Sequence, residues 1–272
     1  MNASFSNVEN IKMLKPNKSP NRWCKIYKPR PLATCRVVLL PHAGGSASFF
    51  RQWVDLFPTN IEVIIVQYPG REDRLADALI DNMDGLVEGI CTGLSRFLDK
   101  PYVLFGHSMG GGVAYELYLT LAEKSIRLPS HLVISAFEAP SCKHQGHLHK
   151  EDDAVLIQEL KRLDGTGVNL SDHPELADMV LLLMRNDYQM IETYLPKLQR
   201  LPIATPITLM IGDSDKELQP GDAVAWKEET TKQFEILTFQ GGHFYLTQEK
   251  SAVVQALSTL CRPVSHAWPI TP

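Results

Sequence analysis

Six short apolar runs punctuate the chain: RVVLLP (36–41), VIIVQYP (63–69), YVLFG (102–106), HLVISAF (131–137), ITLMIG (207–212) and FEILTF (234–239). Their hydrophobicity is continuous rather than alternating, which suits strands covered on both faces. The segments between them carry helical spacing, notably Asn82–Leu98 and Gly112–Lys124. Strands and helices in alternation predict an α/β fold, a mostly parallel central sheet with helices on both faces. Upstream, residues 1–35 are polar and broken by Pro16, Pro20, Pro29 and Pro31, and read as a tail with one possible short strand at Trp23–Tyr27.

One interval breaks the rhythm. Between Phe137 and Ile207 the chain runs much further than a crossover helix needs, and an excursion this long inside a domain is more often functional than idle. Two helical stretches stand out in it, Asp152–Leu163 and Pro174–Leu195, joined by the turn-rich DGTGVNLSD (164–172). Residues 141–200 are therefore expected to form a helical lid over the end of the sheet. The core is then expected to comprise 36–140 and 201–262, with a short tail at 263–272.

Composition narrows the class. A chain of 272 residues, 44% hydrophobic and 21% charged, has the size of one soluble α/β domain. A formal net charge of −4 gives no electrostatic pull toward nucleic acid or an anionic membrane. The first twenty residues lack the apolar run of a signal peptide, and no stretch approaches the roughly twenty apolar residues needed to span a bilayer. The cytoplasm is the expected compartment. Five scattered cysteines without a CxxC pair read as reduced thiols.

The sharpest chemical signal is Gly106-His107-Ser108-Met109-Gly110, which follows a predicted strand and opens a predicted helix. A tight strand-to-helix turn of this kind strains the Ser backbone, needs small neighbours, and aims the helix N-terminus at the Ser oxygen. A nucleophilic Ser needs a base and a group to orient the base, in the chain order Ser, acid, His. His243, in QGGHFYL just after the last strand, is the candidate base; His266 lies in a proline-rich tail, and His107 is too close along the chain to turn back on Ser108. The acid should follow ITLMIG, where Asp213 and Asp215 both stand. Asp215 has room to reach the His loop, and Asp213 suits a cap of its own turn; Asp187 in the insertion is a third candidate. Two backbone N–H groups should form the oxyanion hole, those of Met109 and of Ala43 in Pro41-His42-Ala43-Gly44-Gly45. Cys142, His144, His147 and His149 crowd four possible ligands together, but their spacing matches no common zinc pattern. Neither a metal nor a cofactor is expected, and the stretch reads as a solvated, partly basic loop.

Taken together, PHAGGSA (41–47), YPGREDR (68–74), GHSMGG (106–111), GxxD at Gly212–Asp215 and GGHFYL (241–246) resemble the type II (editing) thioesterases of non-ribosomal peptide and polyketide assembly, members of the α/β-hydrolase superfamily. LKRLDGTG (160–167) and RNDYQMIETY (185–194) are similar to that family's helical insertion. Gly111 and Gly112 make the helix start more glycine-rich than is usual there. The resemblance implies an α/β-hydrolase fold with a helical lid and hydrolysis of acyl or aminoacyl thioesters from the phosphopantetheine arm of a carrier protein, clearing stalled or misprimed chains. It also favours Asp215, because the family's acid is the last residue of GxxD.

Met184, Met190 and Tyr188 are candidates to line an acyl pocket, with Met179, Leu182, Leu183 and Ile191 beside them, although helix packing explains any one equally well. Lys143, Lys150, Lys161 and Arg162 are candidates for charge facing an acidic carrier protein. A general carboxylesterase or lipase, or a medium-chain acyl thioesterase of the same fold, would use the same Ser, His and Asp. A monomer is expected.

Overall fold

The structure is a computed structural model that describes residues 22–163, 174–196 and 200–261, with the backbone alone at 174–176. Seven strands form one sheet in the order β1-β3-β2-β4-β5-β6-β7. These are β1 (Cys24–Lys25), β2 (Cys35–Leu40), β3 (Ile61–Val66), β4 (Tyr102–His107), β5 (His131–Ser135), β6 (Ile207–Gly212) and β7 (Phe234–Phe239). β1 pairs antiparallel on the edge and every other pairing is parallel. Each predicted strand is present, with ends shifted by up to three residues.

The continuous apolar runs have the expected cause. On β2, Val38 and Leu40 pack with helices α1 (Met83–Leu94) and α2 (Met109–Glu123) on one face. Val37 and Leu39 pack on the other face with α7 (Lys250–Leu260) and a 3-10 segment at Ala47–Asp55. Successive side chains on a strand point to opposite faces, so burial on both sides requires apolar residues at every position.

Local signals set the helix starts. Asn82 caps α1 by accepting the Gly85 N–H at 2.9 Å, and Asp152 caps α3 (Asp153–Arg162) by accepting the Val155 N–H at 3.0 Å. α3 and α4 (Pro174–Thr193) occupy the long interval between β5 and β6. The turn-rich 164–172 falls outside the described residues. Two further short helices, α5 (Pro220–Val224) and α6 (Tyr245–Gln248), and the 3-10 segment at Ala47–Asp55 have too few turns to give a helical period in the sequence. Among the described residues no helix is long and apolar enough to cross a membrane. All five cysteines are free thiols.

The strand order fixes where chemistry can sit. From β2 the chain moves to β3 on one side and then to β4 on the other, so the connections after β2 and β4 diverge. That leaves a crevice at the carboxyl ends of these two strands, the usual ligand site of an open α/β sheet. The PHAGG loop leaves β2 there, and Ser108 leaves β4.

Candidate active site

Ser108 lies between the last residue of β4 and the first of α2, with φ +53° and ψ −124°. Such a backbone is costly for a residue with a Cβ and persists only where its surroundings impose it. The surroundings here do so. The Ser108 N–H donates to the Ser135 carbonyl and the Gly111 N–H donates to the Ser108 carbonyl, both at 2.7 Å. The flanking glycines are a steric requirement: a Cβ on Gly106 would come within 1.8 Å of the Gly110 carbonyl oxygen, and one on Gly110 within 2.4 Å of the Leu40 oxygen.

His243 stands in the loop between β7 and α6. Its Nε2 is 3.0 Å from Ser108 Oγ, and its Nδ1 is 3.0 Å and 3.3 Å from the two Asp215 carboxylate oxygens. The imidazole is 9% exposed and the Asp215 side chain 2%, so their contact is largely screened from water. Asp215 Oδ1 also accepts the Glu217 N–H at 2.9 Å, which fixes the carboxylate's direction. The other two acidic candidates lie elsewhere. Asp213 accepts the Gly241 N–H at 3.0 Å and the Ser214 hydroxyl at 2.9 Å, bonds that hold its carboxyl below the usual range. Asp187 faces Arg71 and the Gly44 N–H.

Ser108 and His243 open onto a cavity of about 710 Å³, whose wall includes Ala43 and Met109. Among the described residues neither of those two N–H groups donates to a protein acceptor. Met109 is the first residue of α2, where N–H groups are left unpaired by the helix itself. Met184 and Tyr188 of the helical insertion line the cavity with Leu160, Val180 and Ile191. Met190 does not. It is 1% exposed and packed in the main core, because it lies on the side of α4 turned toward the sheet. Met179 and Leu182 are exposed at 41% and 61%, and Leu183 is buried beside Gly70. Of the basic candidates, Lys143 lines the cavity and pairs with Glu138 at 3.2 Å, while Arg162 pairs with Glu159 and Glu217 at 2.6 and 2.7 Å.

Three further residues surround the site. His42 is buried, its ring 4.6 Å from Phe49 and 4.7 Å from Phe244, and burial lowers its pKa to about 3, with His243 and Arg71 adding to the effect. His107 Nδ1 lies 2.8 Å from Ser135 Oγ, which in turn is 2.7 Å from the Tyr245 hydroxyl. Burial first, then His243 and His42, holds His107 well below the ordinary histidine range. Both rings are therefore neutral packing elements: His107 lies against His243, ring centroids 5.3 Å apart, and His42 lies against His107. Arg71, in YPGREDR, is the third, and its partner is Asp187. These roles depend on contacts made far along the chain; the PHAGG, GHSMGG and PGRE motifs were their only signal.

The 142–149 stretch is dispersed. His144 faces Asp222 at 3.3 Å, His147 faces Glu151 at 3.6 Å, and His149 meets Glu192 at 2.6 Å. Among the described residues no three His, Cys, Asp or Glu side chains are grouped to hold a metal ion.

The chain has relatives of known family. The thioesterase domain family matches residues 35–261. A probable cadicidin biosynthesis thioesterase of Streptomyces griseus is 35% identical over 89% of this chain, which spans 66% of that relative's length. Thioesterase PikA5 of Streptomyces venezuelae is 31% identical over 89% of this chain and 86% of its own. Among solved structures, the type II thioesterase BorB from the borrelidin biosynthetic cluster superposes with a TM-score of 0.81 at 36% identity, covering 89% of this chain and 98% of that one. The chain belongs to the thioesterase family, on an α/β-hydrolase fold, and groups with its type II members.

Proposed function

We propose that this chain is a serine thioesterase that removes acyl or aminoacyl groups from the phosphopantetheine arm of a carrier protein, clearing stalled or misprimed intermediates. The observation that carries the chemistry is the continuous path from Ser108 Oγ through His243 to Asp215, ending in a largely apolar cavity. The family and its polyketide and antibiotic relatives support the substrate class.

In this reading Ser108 Oγ attacks the thioester carbonyl carbon while His243 Nε2 takes its proton. The carbonyl oxygen becomes an oxyanion held by the Met109 and Ala43 N–H groups, each such donor typically being worth about 10²–10³ in rate. The carbon–sulfur bond then breaks, and the His243 imidazolium protonates the departing pantetheine thiolate. Water repeats the sequence on the acyl-enzyme, with His243 as base, and releases the carboxylic acid. Asp215 keeps His243 in the tautomer that presents a bare Nε2, and stabilises the imidazolium. In the described part of the insertion, α3 and α4 act as the lid of the acyl cavity.

The test is a side-by-side measurement of kcat/KM on one acyl group carried three ways: as a carrier-protein thioester, as its N-acetylcysteamine thioester and as an oxygen ester. Contacts with the carrier can position the carbonyl, so the carrier-bound thioester should react fastest. Equal or better turnover of the oxygen ester would replace this reading with that of a general serine esterase.

A further inference from the structure

Arg71 and Asp187 are 116 residues apart in the sequence, and the mechanism above gives neither a step. Their side chains meet as a bidentate pair, Nη1 to Oδ2 and Nη2 to Oδ1, both at 2.9 Å. Their side chains are 5% and 4% exposed. Removing two charges from water costs about as much as their attraction returns, so stability alone is a weak reason for such a pair.

What the pair grips is the loop beside Ser108. Asp187 Oδ2 accepts the Gly44 N–H at 2.7 Å, and Arg71 Nη1 donates to the Gly45 carbonyl at 2.8 Å. Charge-assisted bonds of this kind are stronger and more directional than neutral ones. Asp187 stands on α4, and one turn earlier on that helix Met184 lies against the same loop. A Cβ on Gly44, where φ is +71°, would come within 2.1 Å of Met184 Sδ. Loop and helix are therefore packed in contact, bonded directly at Gly44 and through Arg71 at Gly45.

This has a consequence for the amides. The Gly44 N–H is taken by a carboxylate and points toward α4. The neighbouring Ala43 N–H has no acceptor among the described residues, and Ala43 lines the cavity. Oxyanion donors are effective when their direction is set before the reaction. We propose that Arg71 and Asp187 are positioning residues for the oxyanion hole: together they seat Gly44 and Gly45 so that the Ala43 N–H is aimed at the tetrahedral intermediate, and they make that aim depend on the position of α4. The inference rests on the reading of Ala43 as an oxyanion donor. It gives the Arg of PGRE a task in catalysis without contact to substrate, since neither side chain lines the cavity.

The experiment uses Asp187→Asn, Asp187→Ala and Arg71→Lys in the full chain. Asp187→Asn keeps the shape and an acceptor but loses the charge, and Arg71→Lys keeps the charge but loses the fork. With acyl thioester substrate, kcat should fall by about tenfold in the two conservative variants and approach the ~10²-fold loss of a missing oxyanion donor in Asp187→Ala. KM should stay within about threefold, because the lost interaction belongs to the transition state. Inactivation by an aryl phosphonate, whose adduct places a tetrahedral oxygen in the hole, should slow in parallel with kcat. Unchanged kcat and labelling with a lowered Tm would make the pair merely structural and overturn the proposal. A raised KM with unchanged kcat would move the pair into substrate binding and overturn it equally. If the variants do not fold, hydrogen exchange on the wild-type chain decides: the Gly44 amide should be protected well beyond that of Ala43, and equal rates would refute the assignment. Phosphonate labelling and amide exchange need no carrier protein, so failure of the carrier-bound substrate would leave this result readable.

Discussion

Asp215 lies 3.0 Å from His243 Nδ1, whereas Asp213, two residues earlier in the same turn, is bonded back onto the Gly241 N–H. The two aspartates share a loop but face different partners, and substitution should separate them. Asp215→Asn removes the acceptor that orients His243 and steadies its charged form. It should lower kcat by roughly 10⁴, as an equivalent change does in a serine protease. Asp213→Asn keeps an oxygen for Gly241 and should cost activity a few-fold at most. Steady-state kinetics on any soluble acyl thioester checks both, and the reverse ranking would reassign the acid.

How much of this site was legible in the sequence follows from the range of the forces involved. The strand, Ser108 and helix order was readable because its requirements are local: Gly106 and Gly110 meet backbone within a few residues or on the adjacent strand. The choice between Asp213 and Asp215 was open from spacing alone, since it is settled by where the Gly241 loop packs. Met190 is a candidate for the cavity wall that instead faces the core; helical period gives which residues share a face, not what that face meets. The Arg71–Asp187 pair joins a loop to a helix in the insertion, and nothing in either local pattern names the other. The short 3-10 segment at Ala47–Asp55 gave no lasting period, although Phe50 and Trp53 in it are fully buried.

Acid should weaken the fold through the buried histidines. The folded pKa of His42 is depressed to about 3 from an ordinary 6.5, chiefly by burial, and that of His107 is lowered by the same first cause. As the pH falls below 6.5, the unfolded chain binds protons that these rings refuse in the native state. Their neutral forms contribute stability that is full above that pH and is lost as the pH falls toward 3. The slope is about 1.4 kcal/mol per pH unit for each such group. His42→Phe keeps an aromatic ring between Phe49 and Phe244 and should flatten the pH dependence of unfolding by about that slope. Denaturant titrations from about pH 6.5 down to about pH 4 measure it; parallel curves for parent and variant would contradict a buried neutral His42.

The Ser108 backbone stores strain that the fold would be better without. A φ of +53° with ψ −124° costs a residue bearing a Cβ about 1–3 kcal/mol, and glycine escapes most of it. Ser108→Gly gives back roughly 0.4–1 kcal/mol through the greater freedom of its unfolded chain. The net expectation is that Ser108→Gly is more stable than Ser108→Ala by about 1 kcal/mol, with both inactive. Thermal unfolding of the pair measures it. An Ala variant as stable as the Gly variant would show the turn to be relaxed.

Acyl selectivity should follow Met184 and ignore Met190. Both are buried methionines on α4, at 4% and 1% exposure, but Met184 lines the cavity and Met190 sits in the main core. Truncating either to Ala removes apolar contacts and should destabilise the fold by about 2–5 kcal/mol. Selectivity is a difference between two substrates, so a loss common to both cancels. Only a residue touching the acyl chain can change the ratio. Met184→Ala opens space beside the cavity, and the longer chain can fill it. Because one methylene in an apolar pocket changes kcat/KM by about 10-fold or more, the ratio of octanoyl to propionyl thioester should rise by about that factor in Met184→Ala. In Met190→Ala it should stay within about twofold of the parent, measured well below the lowered Tm. If Met190→Ala shifts the ratio as far as Met184→Ala does, the acyl chain runs into the core rather than along α4, and the cavity is not its binding site.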